Sequence, residues 1–398
     1  MLGAAWAMTA GAAMAAGPPI KIGDIEPYSG SLAPFGIEVA RGHQIAADQI
    51  NKAGGLLGRQ IVLIRGDATN PQQGIATVDQ LATRDKVDLF TGCYTSPVSN
   101  SASDAALRYN LLFWETNSTA QDLTDRNLPN YVRSGPSATS FAVVAADTVE
   151  HLIAPAFKRD PKTLKVWIEH ENLAFGTSIA TVLDKLLRKD GIVPLGIGAH
   201  SYTSIDLNDT LLRIKQARPD LLIQIGYVPD DNLLLKTMRD QNYKTKALMF
   251  VGQGDDDATL KTNGKAGVEG LLSVSYPRTD LAESYGPGGA AYAAAYRARY
   301  HEAPQAAQGM SAYDGFLMMG EAINAAGSMD PVKVRAAAAK MDKPMHSYAG
   351  GYGVKFDAHF QNVRALPTVI QWQDGKQIVV WPEAARHPGA ELRDIPAQ

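Results

Sequence analysis

The sequence predicts an α/β fold of two similar lobes, each a parallel sheet covered on both faces by helices, on three observations. From Ile20 onward, short apolar runs alternate with longer amphipathic stretches, the rhythm of doubly wound sheets. That rhythm pauses around Tyr131-Val132-Arg133-Ser134-Gly135-Pro136 and then restarts, which divides the series in two. Finally, 398 residues with 45% hydrophobic and 20% charged side chains can fill two or three cores, which excludes collagen-like, coiled-coil and disordered chains.

The elements follow in order. Ile20-Lys21-Ile22-Gly23-Asp24-Ile25 reads as a strand, and 36–53 as a helix with Ile37, Ala40, Ile45 and Ile50 inward. Gly54-Gly55 stops that helix. A strand over 61–65, a helix over 71–84, a strand over 87–91, a helix over 98–108 and a strand over 111–114 complete the first series. The second has helices over 138–156, 174–189, 207–217 and 230–241, with strands over 164–168, 192–196, 221–225 and 247–251. A strand over 271–275 and helices over 288–300, 310–326 and 331–340 come next. The tail from Tyr352 reads as strands, with 365–372 and 377–381 flanking a Gln373-Asp374-Gly375 hairpin turn. A tail of strands after three helices implies that the chain crosses between the lobes more than once.

Charge and cysteine narrow the class. With 38 Lys and Arg against 41 Asp and Glu, the net charge is −3 and nucleic acid is not an expected partner. The one cysteine, Cys93, gives neither an intramolecular disulfide nor a zinc cluster, and no cofactor or metal is expected. Residues 1–16 carry no charge and end in Ala13-Met14-Ala15-Ala16 before Gly17-Pro18-Pro19, which reads as the remnant of a signal peptide with its cleavage site, or as an Ala-rich helix. The first reading predicts a soluble exported protein. The absence of a lipobox cysteine at that point favours a free form over an anchored one.

Catalytic signatures are missing: G-x-S-x-G, G-x-x-x-x-G-K, H-E-x-x-H and a G-x-G-x-x-G after the first strand. His170-Glu171 reads as a hydrogen-bonded pair, and Asp255-Asp256-Asp257 as a capping cluster at a helix N-terminus. No enzyme is therefore expected.

The informative residues follow strands, where open α/β sheets bind their ligands. After 87–91 comes Gly92-Cys93-Tyr94-Thr95-Ser96-Pro97, with Pro97 suited to a first helical position and Ser96 to its N-cap. Such a helix start suits a carboxylate, or Ser96 merely caps its own helix. After 111–114 come Glu115-Thr116-Asn117-Ser118-Thr119, either cleft-facing polar groups or a solvated loop.

Tyr28-Ser29-Gly30, Phe35-Gly36, Ile50-Asn51-Lys52-Ala53-Gly54-Gly55-Leu56-Leu57-Gly58 and Arg65-Gly66-Asp67 resemble the leucine/isoleucine/valine-binding-protein family, type I periplasmic receptors of ABC importers. Ser101-Ala102-Ser103-Asp104, Phe175-Gly176, Gly226-Tyr227, Tyr313-Asp314-Gly315 and Gly353-Val354-Lys355-Phe356-Asp357 extend the resemblance along nearly the whole chain. It implies a type I periplasmic-binding fold with a three-strand hinge crossed near Gly135, Pro277 and Gly350. Lobe 1 would be 17–135 plus 277–350, and lobe 2 would be 136–276 plus 351–398. It implies a monomer that closes on a small carboxylate and docks on permease subunits of the inner membrane. A sensor of the same fold is the alternative, and an α/β enzyme a more remote one.

The resemblance places a ligand carboxylate on Ser96 and an α-ammonium on the Asn117 carbonyl and the Thr119 hydroxyl. Phe35, Phe175 and Tyr227 would cover the ligand, with Tyr94, Thr95, Ser118, Gln253 and Asp255 beside them. The sequence departs from the family where a glutamate normally pairs with that ammonium: here stands Gly254, with Asp255 next to it. Unless Asp255 substitutes, a buried ammonium would lack its counter-ion at a cost of about 3–5 kcal/mol. Phe35 and Phe175 stand where the family often has tyrosine. Trp114 is placed either at the cleft mouth or in the sheet core. The ligand is therefore a hydrophobic amino acid or an apolar or aromatic carboxylate without the ammonium.

Overall fold

The computed structural model describes residues 17–393 and residue 395; the expected signal-peptide remnant over 1–16 lies outside the described residues. Strands β1 (Ile20–Glu26), β2 (Ile61–Asp67), β3 (Leu89–Gly92), β4 (Phe113–Glu115) and β5 (Tyr131–Arg133) form an all-parallel sheet in the order β2-β1-β3-β4-β5. The second sheet contains β6 (Val166–Glu171), β7 (Gly196–His200), β8 (Leu221–Ile225), β9 (Ala247–Val251) and β10 (Leu272–Ser275), all parallel. A small β11 (Asp342–Lys343) and β12 (Val354–Lys355) pair precedes β13 (Thr368–Gln373) and β14 (Lys376–Trp381), which add antiparallel to β10. The order of the second sheet is β14-β13-β10-β9-β8-β6-β7. Asp374 and Gly375, both at positive φ, make the expected two-residue hairpin turn.

Local chemistry explains where expectation and structure differ. The strand expected over 192–196 lies instead at Gly196–His200, because Pro194 cannot donate to the ladder and defers pairing on this edge strand. The capping cluster at Asp255-Asp256-Asp257 starts the helix Asp257–Val268, whose length the sequence pattern did not set: Asp256 accepts from the Thr259 N–H at 2.9 Å, and the helix is broken at Gly264 (φ +70°). The three-residue β5 is fully buried and occupies the pause in the pattern.

The chain passes from first to second sheet after β5, returns after β10, and passes back between Ala365 and Thr368. Residues 351–365, expected with the second lobe, pack with the first: Val354, Phe356 and Ala365 share a core with Ile20, Ile22 and Phe316. Segment 360–362 pairs beside β5, with the Asn362 N–H donating to the Arg133 carbonyl at 2.9 Å. Trp114 is a core residue, fully buried, its indole N–H shared between the Ser134 hydroxyl and the Gly315 carbonyl. Among the described residues no helix is long and apolar enough to cross a membrane.

Candidate functional site

The carboxyl ends of both sheets face one another, and the loops leaving them close a cavity lined by Tyr94, Ser96, Asn117, Thr119, Phe175, Tyr227, Gly252, Gln253 and Tyr276. Seven of the eleven residues singled out in the sequence line it. In this conformation the cavity is about 10 Å³, space for about one water, so the lobes must part before a ligand enters.

The first-lobe side is polar. The helix Ser96–Leu107 starts with Thr95 at the N-cap position, one residue earlier than expected, and the Thr95 hydroxyl makes no capping bond. Ser96 occupies the first turn, and its oxygen accepts the Ala120 N–H at 3.1 Å, which ties the helix start to the β4 loop and leaves its own proton to donate. The first-turn amides of a helix have no intrahelical acceptor and favour an anion. Thr119 Oγ1 is buried with no hydrogen-bond partner.

Glu115, fully buried at the end of β4, shapes that loop. It accepts from the N–H groups of Cys93, Thr116, Asn117 and Ser118, each at 2.9 Å, and from the Ser99 hydroxyl. Burial pushes its carboxyl above the usual range, and these bonds pull it back down. Ser118 turns away from the cavity to donate to the Cys93 carbonyl at 2.7 Å. The buried Arg133 guanidinium donates to the Ser118 and Ala120 carbonyls and to Gln361, so the loop is braced at the hinge.

The second-lobe side is aromatic. Phe175 and Tyr227 rings lie 5.0 Å apart, Tyr227 is 6.0 Å from Tyr94, and Phe35 stacks on the far side of Tyr94 at 5.7 Å, as a second layer. Gly252, at φ +98°, is required here: a Cβ would sit 2.5 Å from Phe175 Cζ. Gln253 donates to the Tyr94 hydroxyl at 2.6 Å across the cleft and accepts from Gln308 at 3.2 Å. Burial pushes the Tyr94, Tyr227 and Tyr276 hydroxyls up, so all three keep their protons.

Two placements bear on the ammonium. Gly254 sits at φ +90° with Phe250 2.6 Å from where its Cβ would be, a backbone that no glutamate fits without rearrangement. Asp255 lies outside the cavity lining, bonded to the Ser275 hydroxyl at 3.0 Å; burial lifts its carboxyl to about 6, with Arg278 acting the other way. Tyr276 was missed in the sequence although it directly follows β10, and its hydroxyl donates to the Asn117 carbonyl, the acceptor assigned to the ammonium. The cavity lining thus offers hydroxyls, amides and rings, and no charged side chain.

A family described as "Periplasmic binding protein" matches residues 19–377. Leu/Ile/Val-binding protein homolog 7 of Brucella melitensis is 33% identical over 380 residues, covering 95% of each chain. Among solved structures, a leucine-binding protein LivK from Thermotoga maritima superposes with a TM-score of 0.78 at 18% identity, over 93% of this chain and 99% of that one. A solute-binding protein of an ABC transporter from R. palustris, in complex with 4-hydroxybenzoate, gives 0.75 at 21% identity, over 94% and 98%.

Proposed function

Because the chain belongs to the periplasmic binding protein family, we propose that it is the solute receptor of an ABC importer whose ligand is a small apolar or aromatic carboxylate without an α-ammonium group. The observation that carries this reading is the uncharged lining: Gly254, where the family resemblance expects a glutamate, has a backbone at φ +90° that strains any side chain, and Asp255 bonds to Ser275 instead. A carboxylate needs only donors. Ser96, Thr119, Tyr94 and the first-turn amides supply them, and hydrogen bonds to a charged acceptor contribute about 1.5–3 kcal/mol each. Phe175 and Tyr227 cover the apolar body, whose burial adds about 1.5–3 kcal/mol.

Contacts from both lobes bias the closed form, which is what a permease would recognise. The receptor is read as a monomer working in the periplasm. A hydrophobic amino acid is the second reading, favoured by the buried Asp255 Oδ2, which has no hydrogen-bond partner, and by the names of the Brucella relatives.

The test is calorimetry with small-angle scattering on ligand-stripped protein, using benzoate, 4-hydroxybenzoate and 4-methylpentanoate. One-to-one binding of at least one acid with a fall in radius of gyration is the expected result. Failure of all three to bind or to compact the protein would overturn the reading.

A further inference from the structure

We infer that Asp24, Glu26 and His43 form a site for one divalent metal ion of the zinc or manganese class, buried in the first lobe behind the ligand loop. Asp24 and Glu26 leave the same face of β1 at its carboxyl end, and His43 descends onto them from the helix Ala33–Lys52. One donor atom from each lies within 4.8 Å of the other two, and all three residues are at most 1% exposed.

Three observations point to a cation. Both carboxylate oxygens of Glu26 are buried and, among the described residues, have no side-chain hydrogen-bond partner, with only the Tyr94 backbone N–H nearby. Among the described residues, no Lys or Arg forms a salt bridge with Asp24 or Glu26, so a pair of buried carboxylates has only a histidine beside it. The histidine is also arranged as a metal ligand would be. Its Nδ1 is 2.9 Å from Asp24 Oδ1, a hydrogen bond that a bound ion would replace, and Nε2 is 2.9 Å from the Thr116 hydroxyl, an outer bond of the kind that fixes a ligating ring.

A metal ion bound here would hold both carboxylates ionised and the imidazole neutral, a set that a dication balances. Imidazole beside carboxylates suits zinc or manganese rather than magnesium or calcium. The donor atoms, now up to 4.8 Å apart, would draw together around an ion to bonding distances of about 2.0–2.2 Å. The path in is short: Asp24 and Tyr28, whose hydroxyl donates to Asp24 at 2.8 Å, both line a surface cavity of about 410 Å³. Thr116 in turn donates to Asn117 Oδ1 at 2.8 Å, so an ion here would brace the loop that carries Asn117 and Thr119.

The experiment uses the full chain, stripped with chelator and dialysed, then titrated separately with zinc, manganese, magnesium and calcium by calorimetry and thermal unfolding. The expected result is one equivalent of zinc or manganese per chain, a midpoint raised by a few degrees at saturation, and binding at least 100-fold weaker in Glu26→Gln. The absence of one-to-one binding overturns the site, as does a Glu26→Gln variant that binds as tightly as the parent; a proton on Glu26 then answers its lack of side-chain partners. Should the variant misfold, X-ray absorption of the zinc-loaded parent decides: one imidazole among oxygen ligands supports the site, and no imidazole or several overturns it.

Discussion

In the first lobe β1 ends in Asp24-Ile25-Glu26, and in the second β6 ends in Glu169-His170-Glu171, so each lobe sends two carboxylates from one face of its first strand toward the cleft. Each pair also meets a buried histidine, His43 in one case and His200 in the other. In the second lobe the protein's own donors close the cluster. Glu169 accepts from Trp167 Nε1 at 3.0 Å and faces His200 Nδ1 at 3.1 Å, while His200 Nε2 reaches Asp230 at 3.0 Å. Glu171 accepts from the N–H groups of Leu173 and Gly176. Among the described residues there, both Asp231 carboxylate oxygens and the neighbouring Gln224 Oε1 lack a hydrogen bond. In the first lobe Asp24 is satisfied by Tyr28 and His43, while among the described residues no side chain donates to Glu26. The same strand pattern therefore serves as a brace on one side and leaves an opening on the other.

The contrast is open to attack by mutation. His200→Leu takes a partner from each of two buried carboxylates, Glu169 and Asp230, and should cost about 3–5 kcal/mol in urea unfolding, whereas His43→Leu, in metal-free buffer, takes one from Asp24 alone and should cost about 1–3 kcal/mol. Equal losses would erase the distinction.

A pH series sharpens it. Burial pulls the His200 pKa down, but hydrogen bonds to Asp230 and Glu169 outweigh this and lift it to about 9. A raised folded-state pKa gives stability that is complete below about 6.5 and lost as pH rises through about 9, here roughly 3 kcal/mol. His200→Leu should lose that slope. Glu171, pushed by burial to about 7, adds a decline in the same direction between about 4.5 and 7, which the variant should keep.

The two faces of the ligand cavity differ in the same manner, polar against aromatic. Ser96→Ala removes a charged-acceptor bond from the polar side and should weaken carboxylate binding about 10- to 100-fold in calorimetry; it also leaves the buried Ala120 N–H without its acceptor and should lower the unfolding stability by about 1–3 kcal/mol. Tyr276→Phe should do less: it frees the Asn117 carbonyl and should raise amino-acid affinity by up to about tenfold while leaving deaminated acids where they were.

The helix Ala174–Lys189 and strands β8 and β9 were legible to the residue, because each is a strongly patterned segment with clear ends. Ser96, Asn117 and Thr119 follow strands in a fold whose ligands bind there, Phe175 and Tyr227 were placed by the family resemblance, and all five line the cavity. Tyr276 obeys the same rule, but a lone tyrosine before Pro277 gave no local signal. Glu115, Arg133 and Gln308 were opaque for another reason. Their work is to satisfy backbone groups and amides up to 228 residues away, as between Arg133 and Gln361, and such partners are set by the tertiary fold. The trio of Asp24, Glu26 and His43 was hidden likewise, with its histidine seventeen residues beyond the second carboxylate and on a different element.

On the function proposed above, the cavity takes a carboxylate and refuses its α-ammonium counterpart. Calorimetry on ligand-stripped protein with matched pairs tests it most directly: phenylalanine against 3-phenylpropanoate, and leucine against 4-methylpentanoate. The uncharged lining predicts that the deaminated member binds at least 100-fold more tightly in at least one pair. Tighter binding of the amino acids would contradict it and would bring Asp255 into the cavity as the missing counter-ion.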